Sequence, residues 1–155
     1  MKTLKEQVDI YASYHKNPYN RLTHYFGIPV IIFSILLFFS WFRHPSLPWW
    51  LNASLLFTIA VFIYYLLLDK TIAIIMAVVI APLLILAFWV SLLSWKLNIS
   101  LFLLLFIGGW ILQFIGHTVF EKRRPAFTDN LIQLLIGPLF FVIEILKKLG
   151  YTEKY

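Results

Sequence analysis

The sequence contains no cysteine, and charged residues make up only 13% of its 155 positions. The absence of cysteine excludes disulfides, thiolate metal sites and cysteine nucleophiles. Ordinary soluble domains are about 25% charged, and a domain of this length has a large surface relative to its volume. We therefore exclude a soluble enzyme and a nucleic-acid-binding module. Disorder is also excluded, because 61% of the residues are hydrophobic and disordered chains have the opposite composition.

The few charged residues are separated by long apolar stretches. Four stretches without Asp, Glu, Lys or Arg follow the charged first 21 residues, at 22–42, 45–68, 71–95 and 97–120. Since a helix needs about 20 apolar residues to cross a bilayer, these stretches predict four transmembrane helices, at roughly 28–43, 48–68, 71–95 and 98–118. A shorter apolar stretch at 130–143 contains Gly137-Pro138, and we expect a re-entrant or interfacial helix there.

The positions of Lys and Arg predict the orientation in the membrane. Four spans with both termini in the cytoplasm place eleven of the 13 basic residues on the inner side and leave Arg43 and Lys96 outside. This split follows the positive-inside rule. We expect a multi-pass protein with both termini cytoplasmic, in a bacterial inner membrane or the endoplasmic reticulum. The net charge of +6 suits anionic head groups, so membrane lipids rather than nucleic acid are the expected partners.

The first charged segment has the pattern of a short surface helix. Thr3 and Glu6 form a capping-box pattern, and an apolar face leads from there to His15. Asn17-Pro18 ends this helix. The whole chain is thus expected to be an all-α integral membrane protein, with four transmembrane helices, an N-terminal amphipathic helix and a C-terminal re-entrant or interfacial helix. We expect one domain over 1–155. It is divided into an N-terminal histidine motif and surface helix at 1–27, a four-helix membrane bundle at 28–118, and the cytoplasmic end of the second motif with a C-terminal hydrophobic hairpin at 119–155.

Two groups of polar residues fall at the same predicted membrane face. Asn20 and His24 are four residues apart and share a helix side; the second group, at the inner end of the fourth predicted span, consists of Gln113, His117 and Glu121. An even number of spans between the two groups allows them to meet. His44 alone is placed on the opposite face.

His15, His24, His117 and Glu121 are therefore candidate metal ligands. Imidazole and carboxylate ligands with open positions suit non-haem Fe(II), and zinc is possible on ligand type. Structural roles stay open at this point. Each histidine can be a hydrogen-bonded structural residue, Glu121 can pair with a neighbouring base, and the basic residues can bind lipid phosphates.

Two motifs give the chain a family resemblance. The first is H-x-N-x-x-N-R-x-x-H-x-x-G-x-P, from His15 to Pro29, and the second is Q-F-x-G-H-x-x-F-E-x-x-x-P-A, from Gln113 to Ala126. Together with the size and hydropathy of the whole chain, they resemble the Mpo-like family. Its characterised fungal member is an Fe(II)-dependent dioxygenase of the endoplasmic reticulum, which shortens 2-hydroxy fatty acids by one carbon in phytosphingosine breakdown.

The resemblance implies a function and a set of roles. It implies Fe(II) held by His15, His24 and His117, with Glu121 as a further ligand or as a residue that orients one. Long-chain 2-hydroxy fatty acids and O2 are the implied substrates, with release of CO2. Arg21 or Arg124 is a candidate for the substrate carboxylate, since guanidinium suits planar anions. Further candidates for supporting or substrate contacts are Asn17, Asn20 and Gln113. The alternative is a non-enzymatic lipid-binding or scaffold protein with structural histidines, which has no reason to hold stoichiometric iron.

Overall fold

The computed structural model describes residues 2–48 and 50–151, and the regular secondary structure within them is helical apart from a single β-bridge between Arg43 and Asn52. The α-helices are α1 (Leu4–Ser13), α2 (Pro18–Ser40), α3 (Ala53–Leu68), α4 (Lys70–Ser91), α5 (Trp95–Ile115) and α6 (Gln133–Lys148). A π-helical segment, Gly116–Glu121, extends α5, and a 3-10 turn, Ala126–Thr128, precedes α6. The prediction of an all-α fold is confirmed.

Three helices in the described residues are long and apolar enough to cross a membrane, not the four that we predicted. They are α2, α4 and the continuous helix Trp95–Glu121. The helix predicted at 48–68 is α3, which has only 16 residues. It starts late because the Asn52 side chain caps it by accepting a hydrogen bond from the Leu55 N–H, and it ends where Asp69 caps α4. A helix of that length is about 24 Å long, shorter than the apolar core of a bilayer at about 30 Å.

The helix α2 begins ten residues before the predicted span. Asn17 caps it, because its Oδ1 accepts a hydrogen bond from the Tyr19 N–H at 2.9 Å, and Pro18 occupies the first helical position, where proline is favoured. The helix then continues through Pro29, which we expected near its start. As a result, Asn20 and His24 lie in the first turns of a long apolar helix.

The described residues form two compact units. The second unit, Pro29–Trp110, contains α3 packed along α4 and a small core of Leu36, Leu37 and Ala87. The first unit combines the chain up to Ile28 with the chain from Ile111 onward. All the candidate site residues belong to this first unit.

Within the first unit, α1 packs against α6. The predicted capping box of α1 is present, with the Thr3 side chain on the Glu6 N–H and the Glu6 carboxylate on the Thr3 N–H. The apolar face of α1 is buried, including Leu4 and Tyr11. The helix α6 runs unbroken through Gly137-Pro138 and extends five residues beyond the stretch that we predicted. Its buried face therefore serves as the partner that α1 needs.

Candidate metal centre

The structure brings together the three histidines that the two motifs contribute. One ring nitrogen of each of His15, His24 and His117 lies within 4.8 Å of the others. The side chains are 1%, 2% and 2% exposed, and the ring centroids form a nearly equilateral triangle with sides of 4.6, 4.7 and 4.8 Å. His15 follows α1, His24 is in α2 and His117 is in the π-helical segment. Three buried imidazoles facing one point are able to hold a metal ion.

Hydrogen bonds to the backbone fix the tautomers of two of these rings. His15 Nδ1 donates to the Tyr11 carbonyl at 2.7 Å, and His24 Nδ1 donates to the Asn20 carbonyl at 2.8 Å. A carbonyl oxygen can only accept, so in each neutral ring the proton is on Nδ1 and Nε2 carries a lone pair. The two Nε2 atoms are 3.2 Å apart. Two lone pairs facing each other at this distance repel unless a cation lies between them.

A metal ion fits this arrangement better than a proton does. Burial lowers the pKa of His15 to about 2, and the neighbouring rings of His24 and His117 act in the same direction. Two imidazole nitrogens that bind one ion at about 2.1 Å lie about 3.0–3.4 Å apart, which matches the pair. In addition, His117 Nδ1 is buried and has no hydrogen-bond partner among the described residues. Several transition metals accept such imidazole ligands, so the donor set does not identify the metal.

Aromatic rings lie against two of the three histidines, His15 and His24. Tyr11 stacks on His15 with a centroid distance of 3.9 Å and an interplanar angle of 9°. Phe140 lies 6.2 Å from the same histidine, and Phe141 stacks on His24 at 6.0 Å. Phe140 and Phe141 were not predicted as site residues, although a pair of aromatic residues in an apolar stretch could have indicated them. These rings help to bury His15 and His24.

Close helix packing at Gly116 places His117 beside α2. A Cβ at Gly116 would overlap Asn20 Oδ1 and Thr23 Oγ1, so this approach requires glycine. The π-helical segment that follows ends at Lys122, whose backbone is left-handed with φ of 53°. The N–H groups of Lys122 and Arg123 both donate to the His117 carbonyl. Two hydrogen bonds therefore fix the carbonyl of His117, and the contact with α2 fixes the preceding Gly116.

Glu121 lies outside the group of three histidines. Its carboxylate accepts hydrogen bonds from the backbone N–H of Lys16 at 3.0 Å and of Asn17 at 2.9 Å, and from Asn20 Nδ2 at 3.0 Å. Asn17 Nδ2 donates in turn to the Phe120 carbonyl. The histidine group contains no carboxylate within residues 2–48 and 50–151. In this geometry Glu121 fixes the turn that carries His15.

Arg21 also contacts protein groups. Its Nε donates to the His15 carbonyl at 2.6 Å, and its Nη1 pairs with Glu144 Oε1 at 2.8 Å. Glu144 was not predicted as a site residue, although an acidic residue directly after a long apolar stretch could have indicated it. Tyr25 OH donates to the other carboxylate oxygen of Glu144 at 2.9 Å. Arg21 therefore joins the first motif to α6.

The remaining candidates lie in different surroundings. Gln113 is buried, and its Nε2 has no hydrogen-bond partner among the described residues. Arg124 is largely exposed and pairs with Asp129 at 2.7 Å. His44 belongs to the second unit, is exposed, and accepts a hydrogen bond at Nδ1 from the Ser46 N–H. Of these residues, only Gln113 combines burial with an unused donor.

Comparison with known proteins gives two matches. Residues 1–149 match the family described as 2-hydroxy-palmitic acid dioxygenase Mpo1-like. The chain is also 36% identical, over 155 aligned residues, to the 2-hydroxy-palmitic acid dioxygenase MPO1 of Saccharomyces cerevisiae, with 97% of this chain and 84% of the yeast protein covered. No solved structure matches the chain significantly.

Proposed function

Because the chain belongs to the Mpo1-like family of 2-hydroxy-palmitic acid dioxygenases, we propose that it is a non-haem iron dioxygenase that shortens long-chain 2-hydroxy fatty acids by one carbon. The observation that carries this proposal is the buried pair of unprotonated His15 and His24 nitrogens, 3.2 Å apart, with His117 completing the group. A scaffold protein gains nothing from such a pair, whereas a metal ion needs it.

The proposed reaction balances without a second organic substrate. A 2-hydroxy acid and O2 give the acid one carbon shorter, CO2 and water. Cleavage of the C1–C2 bond releases four electrons from the substrate, and O2 takes up the same number on full reduction. No 2-oxoglutarate is therefore required. Fe(II) held by three neutral imidazoles keeps coordination positions open and supplies the chemistry of O2 activation.

The chain's own residues hold the ion and prepare its surroundings. His15, His24 and His117 are the proposed ligands, and the Tyr11 and Asn20 carbonyls keep two of them in the ligating tautomer. Hydrogen bonds of this kind to ligating histidines raise their basicity and fix their orientation. Gln113 Nε2 is the proposed donor to a substrate oxygen, because it is buried and unpartnered among the described residues. The rings of Phe140 and Phe141 keep water away.

We place the enzyme in a membrane with both termini on the cytoplasmic side. The supporting features are the three long apolar helices together with the shorter apolar helix α3, and the eleven basic residues that four crossings place on the inner side. A membrane position also suits the substrate, because a long acyl chain dissolves in lipid and not in water.

The proposal is tested by metal analysis and product analysis of the same preparation. Protein purified in detergent, without chelators and under anaerobic conditions, is expected to hold one iron per chain. With O2 it should convert a long-chain 2-hydroxy fatty acid to the acid one carbon shorter, detected by mass spectrometry. The unhydroxylated acid should not react, because it lacks a second oxygen donor next to the carboxylate. Added 2-oxoglutarate should change nothing.

His44→Ala is the matched control for the three ligand variants. His15→Ala, His24→Ala and His117→Ala should each lose the iron and the activity, whereas His44→Ala should keep both. Zinc in place of iron would leave a metal site without oxygen chemistry. Full activity in all three ligand variants would refute the proposal, and a preparation with no metal and no turnover would favour the lipid-binding alternative.

A further inference from the structure

We infer that Glu144 is a positioning residue for the metal centre, acting on His15 through Arg21. This inference rests on the proposed metal site but assigns a new role to a residue far from both motifs. Glu144 lies in α6, and its side chain is only 16% exposed. A carboxylate that is mostly withdrawn from water costs free energy unless it is paired and hydrogen-bonded.

The contacts of Glu144 account for both of its oxygens. Oε1 accepts from Arg21 Nη1 at 2.8 Å, and Oε2 accepts from Tyr25 OH at 2.9 Å. Lys148 Nζ, 4.0 Å away, is the other charged partner and is largely exposed. The bond to Arg21 is charge-assisted and therefore stronger than a neutral hydrogen bond. The Glu144 carboxylate thus has a fixed orientation, and its bond to Nη1 fixes the orientation of the Arg21 guanidinium.

Arg21 transmits this orientation to the backbone of His15. The guanidinium is planar and rigid, so fixing Nη1 on Glu144 also fixes the direction of Nε. Nε donates to the His15 carbonyl at 2.6 Å. The ring of His15 is held as well, because its Nδ1 donates a hydrogen bond to the Tyr11 carbonyl. Both the backbone and the ring of His15 are therefore constrained, the ring by α1 and the backbone by α6 through Arg21.

A positioning residue affects the geometry of the bound ion, whereas a merely stabilising residue affects only the stability of the protein. Loss of the Glu144 contact should alter the geometry of the bound ion while leaving the metal-free protein folded. Supporting residues around metal ligands typically change metal affinity by about 10–100-fold. Because Glu144 acts through one intermediate residue, we expect an effect near the lower end of that range.

The experiment uses Co(II) as the probe, supplied during expression of the full chain. Glu144→Gln keeps the size of the side chain and removes the charge that orients Arg21. We expect a shifted visible spectrum of the bound Co(II) and about tenfold faster loss of cobalt to a chelator, with the thermal midpoint of the metal-free protein close to wild type. Arg21→Lys should have the same effects, because lysine lacks the planar guanidinium that bonds Glu144 and the His15 carbonyl at the same time. The double variant should be no worse than the more affected single variant.

Asp9→Asn is the matched control, since it breaks an exposed ion pair with Lys5 at 3.6 Å in the same unit. It should leave the spectrum and the release rate unchanged. The inference is overturned if Glu144→Gln and Arg21→Lys match wild type while His15→Ala holds no cobalt. It is also overturned if Glu144→Gln destabilises the metal-free protein without changing the spectrum. Retention of cobalt by His15→Ala would instead show that the proposed metal site itself is wrong.

Discussion

Among single residues, Glu121 joins the two motifs most directly. Its carboxylate accepts two backbone N–H groups and the Asn20 amide. Glu121→Gln keeps one acceptor oxygen and turns an NH2 group toward these donors. We expect a loss of about 1–2 kcal/mol in the free energy of unfolding of the metal-free protein, because hydrogen bonds to charged groups are stronger than neutral ones. Chemical denaturation of the metal-free variant measures this loss.

Glu6→Gln is the control for that change. Glu6 also accepts a backbone N–H, that of Thr3 at 2.7 Å, but at the exposed start of α1. Its replacement should cost a smaller amount and leave metal content unchanged. If Glu121→Gln lost its metal while the metal-free protein kept wild-type stability, Glu121 would be a direct ligand of the metal ion.

The sequence was sufficient to identify the three histidines but not their supporting contacts. Motif spacing singles out His15, His24 and His117 because each stands in a recognisable local pattern. The contact between Arg21 and Glu144 joins residues 123 positions apart, and no local pattern relates them. The same holds for Phe141 on His24. Such contacts depend on where α6 packs, which sequence periodicity alone does not specify.

At the scale of helices, the approach of the π-helical segment to α2 depends on Gly116. Gly116→Ala would push a methyl group into Asn20 Oδ1 and Thr23 Oγ1. These atoms cannot move freely, because Asn20 Nδ2 is bonded to Glu121 and Thr23 Oγ1 donates to the Asn20 carbonyl. We expect overpacking to cost about 1–3 kcal/mol, with loss of metal as His117 moves away. Thermal unfolding and metal content report the two effects.

Gly108→Ala provides the comparison on the same helix. A Cβ at Gly108 meets no atom within 4 Å, and alanine favours helix by about 1 kcal/mol over glycine. This variant should therefore be as stable as wild type or slightly more stable, and keep its metal. Equal destabilisation by both substitutions would mean that helix flexibility, and not the contact with α2, is what glycine provides.

Helix boundaries show why part of the fold escaped prediction. Runs without charged residues predicted where apolar helices lie, but side-chain caps decided where they start. Asn52 delays α3 and Asn17 advances α2. Asparagine is common both in loops and at caps, so composition did not distinguish the two. The error at α3 changes the count of helices that are long and apolar enough to cross a membrane, among the described residues, from four to three.

At the scale of the whole molecule, the contact between two of the proposed ligands has a consequence for the membrane topology. His24 lies near the start of α2 and His117 lies just beyond α5, yet their rings are 4.8 Å apart. If the long helices cross the membrane as we propose, we expect an even number of crossings between these two residues. The three long helices would give an odd number of crossings, so the short apolar helix α3 is the segment that can provide the fourth. Local thinning of the bilayer around a short helix costs only fractions of a kcal/mol per Å.

Single cysteines test this topology, because the chain contains no cysteine of its own. Cysteines at Asp9 and Asn130, both exposed, should react only with reagents that enter the cytoplasm, whereas a cysteine at the exposed Ser46 should react from outside. None of these changes removes a basic residue. Opposite labelling of Asp9 and Asn130 in intact cells would contradict an even number of crossings.

The cover that α6 provides also has a consequence for biosynthesis. All three histidines precede α6 in the chain, so the ribosome completes the ligand set before it makes Phe140 and Phe141. Until α6 has packed against α1, His15 and His24 lack the rings of Phe140 and Phe141. If the three histidines bind a metal ion as proposed, the ion can enter most easily in this interval. We therefore expect the metal content of the mature protein to reflect the ions present while each chain folded more than the ions added afterwards.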